Sequence, residues 1–124
     1  MSGFFYVSTP YTLYAGGTMA AWLEACDVAA HIIRQGRSIY APIVMTHPIA
    51  IHGGLDPLDH DLWLRVDEPM MRAADGLIVA KMDGWDKSRG VAREIEAFLE
   101  MGKHIEYMEW PLFARHLSPA LTAP

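Results

Sequence analysis

The segment SRGVAREIEAFLEMGK, residues 88–103, places three glutamates on one helix-forming run. At about 100° per residue, Val91, Ile95, Phe98 and Leu99 share one face, the face expected to pack, while Arg93, Glu96 and Glu100 gather on the opposite side. Glu94 belongs to neither group. It falls between Phe98 and Met101, on the flank of the apolar stripe and within about two turns of the helix start. A carboxylate there costs free energy unless it is paired or lines a wet cavity. Two readings are open: a boundary glutamate that snorkels to solvent or pairs with Arg72, Arg89 or Lys81, and a carboxylate positioned to react.

A second group of chemically capable side chains lies in THPIAIHGGLDPLDHD, where His47, His52 and His60 alternate with Asp56, Asp59 and Asp61. These are suitable donors for a divalent metal, yet the His-x4-His and His-x7-His spacings match no closed zinc pattern. A polar loop lining or covering a pocket is the preferred reading, with His47 and His52 able to touch a ligand and no metal assigned. Trp63 and Trp85 could stack on a flat ring or serve a subunit interface.

What positions these residues? FFYV, residues 4–7, reads as a buried strand that ends in the turn STPYT. The stretch MAAWLEACDVAAHIIRQG follows, with Met19, Leu23, Cys26, Ala30 and Ile33 at helical spacing, Thr18 as N-cap and Gly36 as stop. SIYAP predicts a second strand, and IVMTHPIAIHGGLDPLDHD a long loop, rich in Pro, Gly, His and Asp. A helix from about Asp61 to Ala74 must be kinked or divided by Pro69. GLIVAKM is the clearest buried strand, followed by the helix carrying Glu94, by HIEYMEW as a last strand, and by a short tail helix around 111–116. Alternating strands and helices imply an α/β fold: a single three-layer, Rossmann-like (flavodoxin-like) domain with a parallel sheet of four to five strands. Ligands in such sheets sit beyond the carboxyl ends of the strands, where strand order reverses. That rule selects three loops. They contribute Ser8 and Thr9, then His47 and His52, then Trp85, Ser88 and Gly90 as candidate substrate contacts.

A chain of 124 residues suits one domain, with a tail expected to be flexible from about residue 117. With 52% hydrophobic and 20% charged residues the composition is globular, which argues against disorder. No run approaches the roughly 18 apolar residues of a membrane span, and the N-terminus lacks a secretory pattern. A cytoplasmic protein without membrane partners is expected, in keeping with its single cysteine, Cys26. The net charge of -5 disfavours a general surface for nucleic-acid polymers. The hydrophobic content of so small a domain predicts a homo-oligomer, dimer or tetramer.

SRGVAREIEAF, preceded by ADGLIVAKMDGWDK and by Asp67 eight positions before Asp75, resembles the signature of the nucleoside 2-deoxyribosyltransferase superfamily, which includes the 2'-deoxynucleoside 5'-phosphate N-hydrolases. Over about residues 3–110 the chain is also similar to an uncharacterised bacterial and phage family grouped with them. The resemblance implies an N-glycosidase or glycosyl-transfer enzyme acting on a small nucleoside, nucleotide or related N-riboside, without a cofactor. It implies Glu94 as nucleophile, Asp67 as the acid assisting departure of the base, Tyr6 as the hydrogen-bond partner that fixes Glu94, and Ser88 as the loop serine. Such residue types suit the chemistry. Breaking an N-glycosidic bond develops oxocarbenium character at C1' and negative charge on the base, so a carboxylate must face the sugar while an acid reaches the base. Asp67 then needs a raised pKa, part of which close approach to Glu94 would supply.

The sequence departs from that pattern in two places. Relatives that hydrolyse nucleotides carry a glycine-rich, arginine-containing loop after the first strand, whereas STPYTLYAGG has neither lysine nor arginine, and none occurs before Arg34. Glu96 stands where a small residue is usual, though the wheel turns it to solvent. Other classes of function remain: a nucleotide-binding or sensor module that does not turn its ligand over, and a metal-dependent hydrolase. The first requires Glu94 and Asp67 to diverge, and the second requires the three histidines to converge.

Overall fold

The computed structural model describes residues 3–111. Strand β1 (Phe5–Ser8) leads through the first loop to α1 (Thr18–Arg34), then β2 (Ile39–Tyr40), α2 (Pro42–Gly53), α3 (His60–Ala73) and β3 (Gly76–Lys81). A short 3-10 turn (Trp85–Lys87) precedes α4 (Arg89–Glu100) and β4 (His104–Glu109). The four strands form one parallel sheet in the order β2-β1-β3-β4. The chain therefore leaves β1 in one direction to reach β2 and crosses back over it to reach β3. This makes the end of β1 the place where strand order reverses, and ligands collect there in sheets of this type.

Strand alternation divides the core into two layers. Phe5 and Val7 of β1, with Ile78 and Ala80 of β3, face α1, where Val28 and Ile32 meet them. Tyr6, Leu77 and Val79 face the other way, onto Met71 of α3 and Val91 and Phe98 of α4. Ser8 shares the face of Tyr6 because positions two apart point to the same side of a strand. Gly76 has to be glycine, since a Cβ there would stand 2.7 Å from both the His104 carbonyl oxygen and the Phe5 ring.

Several expectations need correction. The segment from Pro42 to Gly53 is a helix, where an irregular loop is expected from its prolines and histidines. Pro42 sits in its first turn, where the missing N–H costs nothing. Pro48 lies inside it and leaves the Val44 carbonyl, four residues back, without its helical donor. The indole N–H of Trp22 on α1 donates to that carbonyl at 3.2 Å, so a side chain from the neighbouring helix replaces the lost bond. Pro69 likewise does not divide α3, which runs unbroken on an exposed face.

On α1 the buried residues are Ala21, Ala25, Val28, Ala29 and Ile32, not the stripe through Met19, Leu23 and Ile33. Leu23 is 54% exposed and Ile33 57%. Ala21, Ala25 and Ala29 share the buried side of the helix with Val28 and Ile32, and hydrophobicity alone selects the wrong face. The cap of α1 is Gly17 instead of Thr18. Pro111 apart, the expected tail helix and the frayed tail lie outside the described residues. Among the described residues, no helix is long and apolar enough to cross a membrane.

Candidate functional site

Glu94 meets the strand face bearing Tyr6 and Ser8. The Tyr6 hydroxyl donates to one carboxylate oxygen at 2.7 Å, and the Ser8 hydroxyl donates to the other. The helix wheel explains how a glutamate reaches that position. Leu99, placed on the packing face by sequence, is 65% exposed, while Val91 and Phe98 are buried and Ile95 and Met101 pack beside them. The centre of packing is thus rotated away from Leu99, toward Glu94. The boundary residue becomes part of the interior.

Asp67 approaches from α3, and Tyr40 at the end of β2 donates to it at 3.2 Å. Tyr6 lies between the two acids: its ring is fully buried against Tyr40 and Phe98, and both carboxylates push its ionisation upward, after burial itself. It therefore remains a neutral donor. Helix α3 is fixed at both ends. The Asp59 side chain caps its start by accepting from the Leu62 N–H at 3.2 Å. At its end the Lys103 ammonium donates to the carbonyls of Met71 at 3.1 Å, Arg72, and Ala74 at 2.7 Å, groups that the helix itself leaves unsatisfied.

Burial raises the pKa of both acids. The Glu94 carboxyl is held at about 7: desolvation raises it, the hydrogen bonds from Ser8 and Tyr6 oppose the rise, the Asp67 charge adds to it and the Arg93 charge subtracts. Asp67 is raised to about 6 by desolvation, against the hydrogen bonds of Tyr40 and Tyr6. Burial is the first cause of both shifts, and the mutual repulsion of the two carboxylates adds to the shift of the pair. Two acids in one site titrate as a pair, so between about 6 and about 7 the pair holds a single proton.

Both carboxyls open on one cavity of about 320 Å³, within the usual size of a small-molecule site. Its walls bring together Tyr6, Thr9, His47, Asp67, Ser88, Gly90 and Glu94 from the sequence-derived set. Ser8, expected to touch substrate, instead spends its hydroxyl on Glu94. His52 is exposed and outside the lining. Trp85 also lies outside: its ring packs on Tyr107 and beneath the Lys81 ammonium, over the sheet core. Trp63 does line the cavity, its indole N–H fixed by the Asp56 carbonyl at 2.9 Å. His47 is buried in the wall, stacked on Trp22 and joined to the Tyr11 hydroxyl at 2.5 Å. Among the described residues, no group of three or more His, Cys, Asp or Glu side chains converges as a metal site.

The roles of four residues, Ser8, Tyr40, Arg89 and Arg93, are not those expected from sequence. Ser8 was legible as a partner of Glu94 through its spacing of two from Tyr6 on one strand. Tyr40 carried the weaker signal of an aromatic at a strand end. Arg89 and Arg93, read as a possible ion-pair partner and as solvated charge, both line the cavity.

No curated protein matches the chain. A family model does match it, over residues 3–110, and its description is "Domain of unknown function (DUF1937)". The match covers nearly all of the sequence and the whole of the cavity described above, so the chain belongs to the DUF1937 family.

Proposed function

We propose that the protein cleaves the N-glycosidic bond of a nucleoside, nucleotide or related N-riboside by way of a glycosyl-enzyme intermediate on Glu94. The observation that carries this reading is the arrangement of Glu94 itself. Both of its oxygens are held by donors on one strand, and a second carboxyl faces the same cavity. A glutamate kept in one rotamer by Tyr6 and Ser8 loses little entropy on attack.

In the first step a Glu94 oxygen bonds to C1' as the C1'–N bond breaks, and the departing base takes the proton of Asp67. Water then attacks C1', gives its proton to the Asp67 carboxylate and releases Glu94, which returns both acids to their starting state. A second base in place of water would give transfer. The pair shares one proton between about pH 6 and pH 7, and the larger fraction of it rests on Glu94, so the reaction starts from the minor arrangement in which Glu94 is ionised and Asp67 carries the proton.

The experiment is base release from a panel of nucleosides and 5'-nucleotides by wild type and Glu94→Ala. Loss of at least about a thousandfold in the variant is expected. Undiminished release would overturn the nucleophile assignment. Binding without release by the wild type would favour the sensor module.

A further inference from the structure

The largest apolar side chains of α1 face away from the sheet. Met19, Leu23 and Ile33 are each more than half exposed, and Cys26 and Ala30 lie half-buried between them. The steps along these five residues are four, three, four and three. A helix lying on a sheet needs a broader stripe, whereas this alternation keeps a narrow seam turned toward one facing helix. Asp27 and Arg34 flank the seam on the helix wheel, and no charged residue interrupts it.

Helix α2 extends the same surface. It packs beside α1, where the Trp22 indole meets the Val44 carbonyl, and its apolar residues surround the axis. A helix apolar on every side is ordinarily enclosed, yet α2 leaves Met45 and Ile51 open to solvent. Met19, Leu23, Ile33, Met45 and Ile51 are 40–57% exposed. At roughly 90 Å² for each side chain they present about 450 Å² of apolar surface. A standard interface buries about 800 Å² on each partner, of which rather more than half is apolar. The face is therefore the size of the apolar centre of one such interface.

From this spacing and area we infer that α1, edged by α2, is a dimer interface, and that a second copy of the chain covers it with the two α1 helices antiparallel across a two-fold axis near Cys26. A two-fold axis lays a face on itself, so an uncharged seam meets an uncharged seam. Cys26 is the midpoint of the stripe, seven residues from Met19 and seven from Ile33. Antiparallel pairing about it sets Met19 opposite the second copy's Ile33, Leu23 beside its Ala30, and Cys26 opposite Cys26. Large side chains thus meet small ones, and the small residues at the centre allow the helix axes to approach to about 8–10 Å. None of these residues lines the cavity, so the inference is independent of the reaction proposed above.

The test is the oligomeric state of the full chain, by sedimentation at about 1 to 100 µM, for wild type, Leu23→Glu and Ile33→Glu. Wild type is expected to dimerise with a dissociation constant of about 10 µM or tighter, and each substitution to weaken the dimer at least about a hundredfold. Both positions are exposed, and circular dichroism checks that the variants are folded. A short bismaleimide should link two wild-type copies through Cys26, and should fail to do so in Leu23→Glu and in Cys26→Ser. Sedimentation and cross-linking of wild type need no substitution, so the inference stays open to refutation even if a variant misfolds. A wild type that is monomeric at 100 µM, or a dimer that persists in both glutamate variants, overturns the interface. A dimer lost in both variants but never linked at Cys26 overturns the two-fold pairing about that residue.

Discussion

Glu94→Gln should make the protein more stable at neutral and alkaline pH while abolishing its activity. The Glu94 carboxyl titrates at about 7 in the folded chain against 4.5 when unperturbed. Between those values the folded state holds a proton that the unfolded state has lost, so stability falls as pH rises through that window. At about 1.4 kcal/mol per pH unit the ionised carboxylate costs about 3 kcal/mol above pH 7. Glutamine reproduces the shape of the neutral acid and never ionises. Tyr6 can still donate to its oxygen, and the Ser8 hydroxyl can turn to accept from its amide. Thermal unfolding from pH 4 to pH 8.5 is the assay. The two proteins should unfold at similar temperatures near pH 4, with Glu94→Gln ahead by on the order of 10 °C at pH 8. Parallel curves across that range, or a variant less stable at pH 8, would refute the argument that enclosure strains the carboxylate.

Base release should follow a bell with limbs near pH 6 and pH 7, because one proton on the Glu94 and Asp67 pair is the working composition; a profile flat from pH 5 to pH 8 would contradict this. Tyr6→Phe removes a hydrogen bond that lowers the Glu94 pKa, so the limb that reports Glu94 should move to higher pH as the rate falls. Asp67→Asn should lower the rate by about 10² to 10⁴ for natural bases, and by much less for a leaving group that needs no proton, as measured with a nitrophenyl riboside. Lys103→Met frees three carbonyls at the end of α3, and hydrogen exchange should show faster exchange over His60–Ala73 while α1 and α4 are unchanged.

The order of strands and helices, and the odd position of Glu94, were legible because both depend on periodicity. GLIVA, the first five residues of GLIVAKM, is buried on both faces and reads as an unbroken apolar run, and Glu94 stands out against the polar face of its own helix. The helix at Pro42–Gly53 was illegible for a different reason. Its apolar residues surround the axis without a preferred side, and the bond that Pro48 removes is replaced by Trp22, twenty-two residues before Val44 in the chain. Tertiary support of that kind has no local signature. The outward-facing Leu23 and Ile33 and the misplaced Leu99 share a cause: helix rotation follows the packing of a whole face, and on α1 that face holds Ala21, Ala25 and Ala29 in place of the larger side chains. The wheel places Arg93 on the solvated face, and Arg89 is legible only as a possible partner of Glu94, because a wheel records direction but not what another element builds alongside.

The two carboxyls belong to structurally unequal parts of the molecule. Glu94, Tyr6 and Ser8 are joined through strand β1 and the packed side of α4, whereas Asp67, His60 and Trp63 ride on α3, which buries only Met71 and is held by Lys103 and by the Tyr40–Asp67 hydrogen bond. In the proposed reaction the half that carries the nucleophile is therefore the one constrained by the core, where changes of side-chain volume disturb packing. The half proposed to meet the leaving group is less enclosed by it. On the proposed reaction, redesign of specificity has an open route through α3: new residues at 60 and 63 would alter which base is accepted while Asp67 and the nucleophile keep their places.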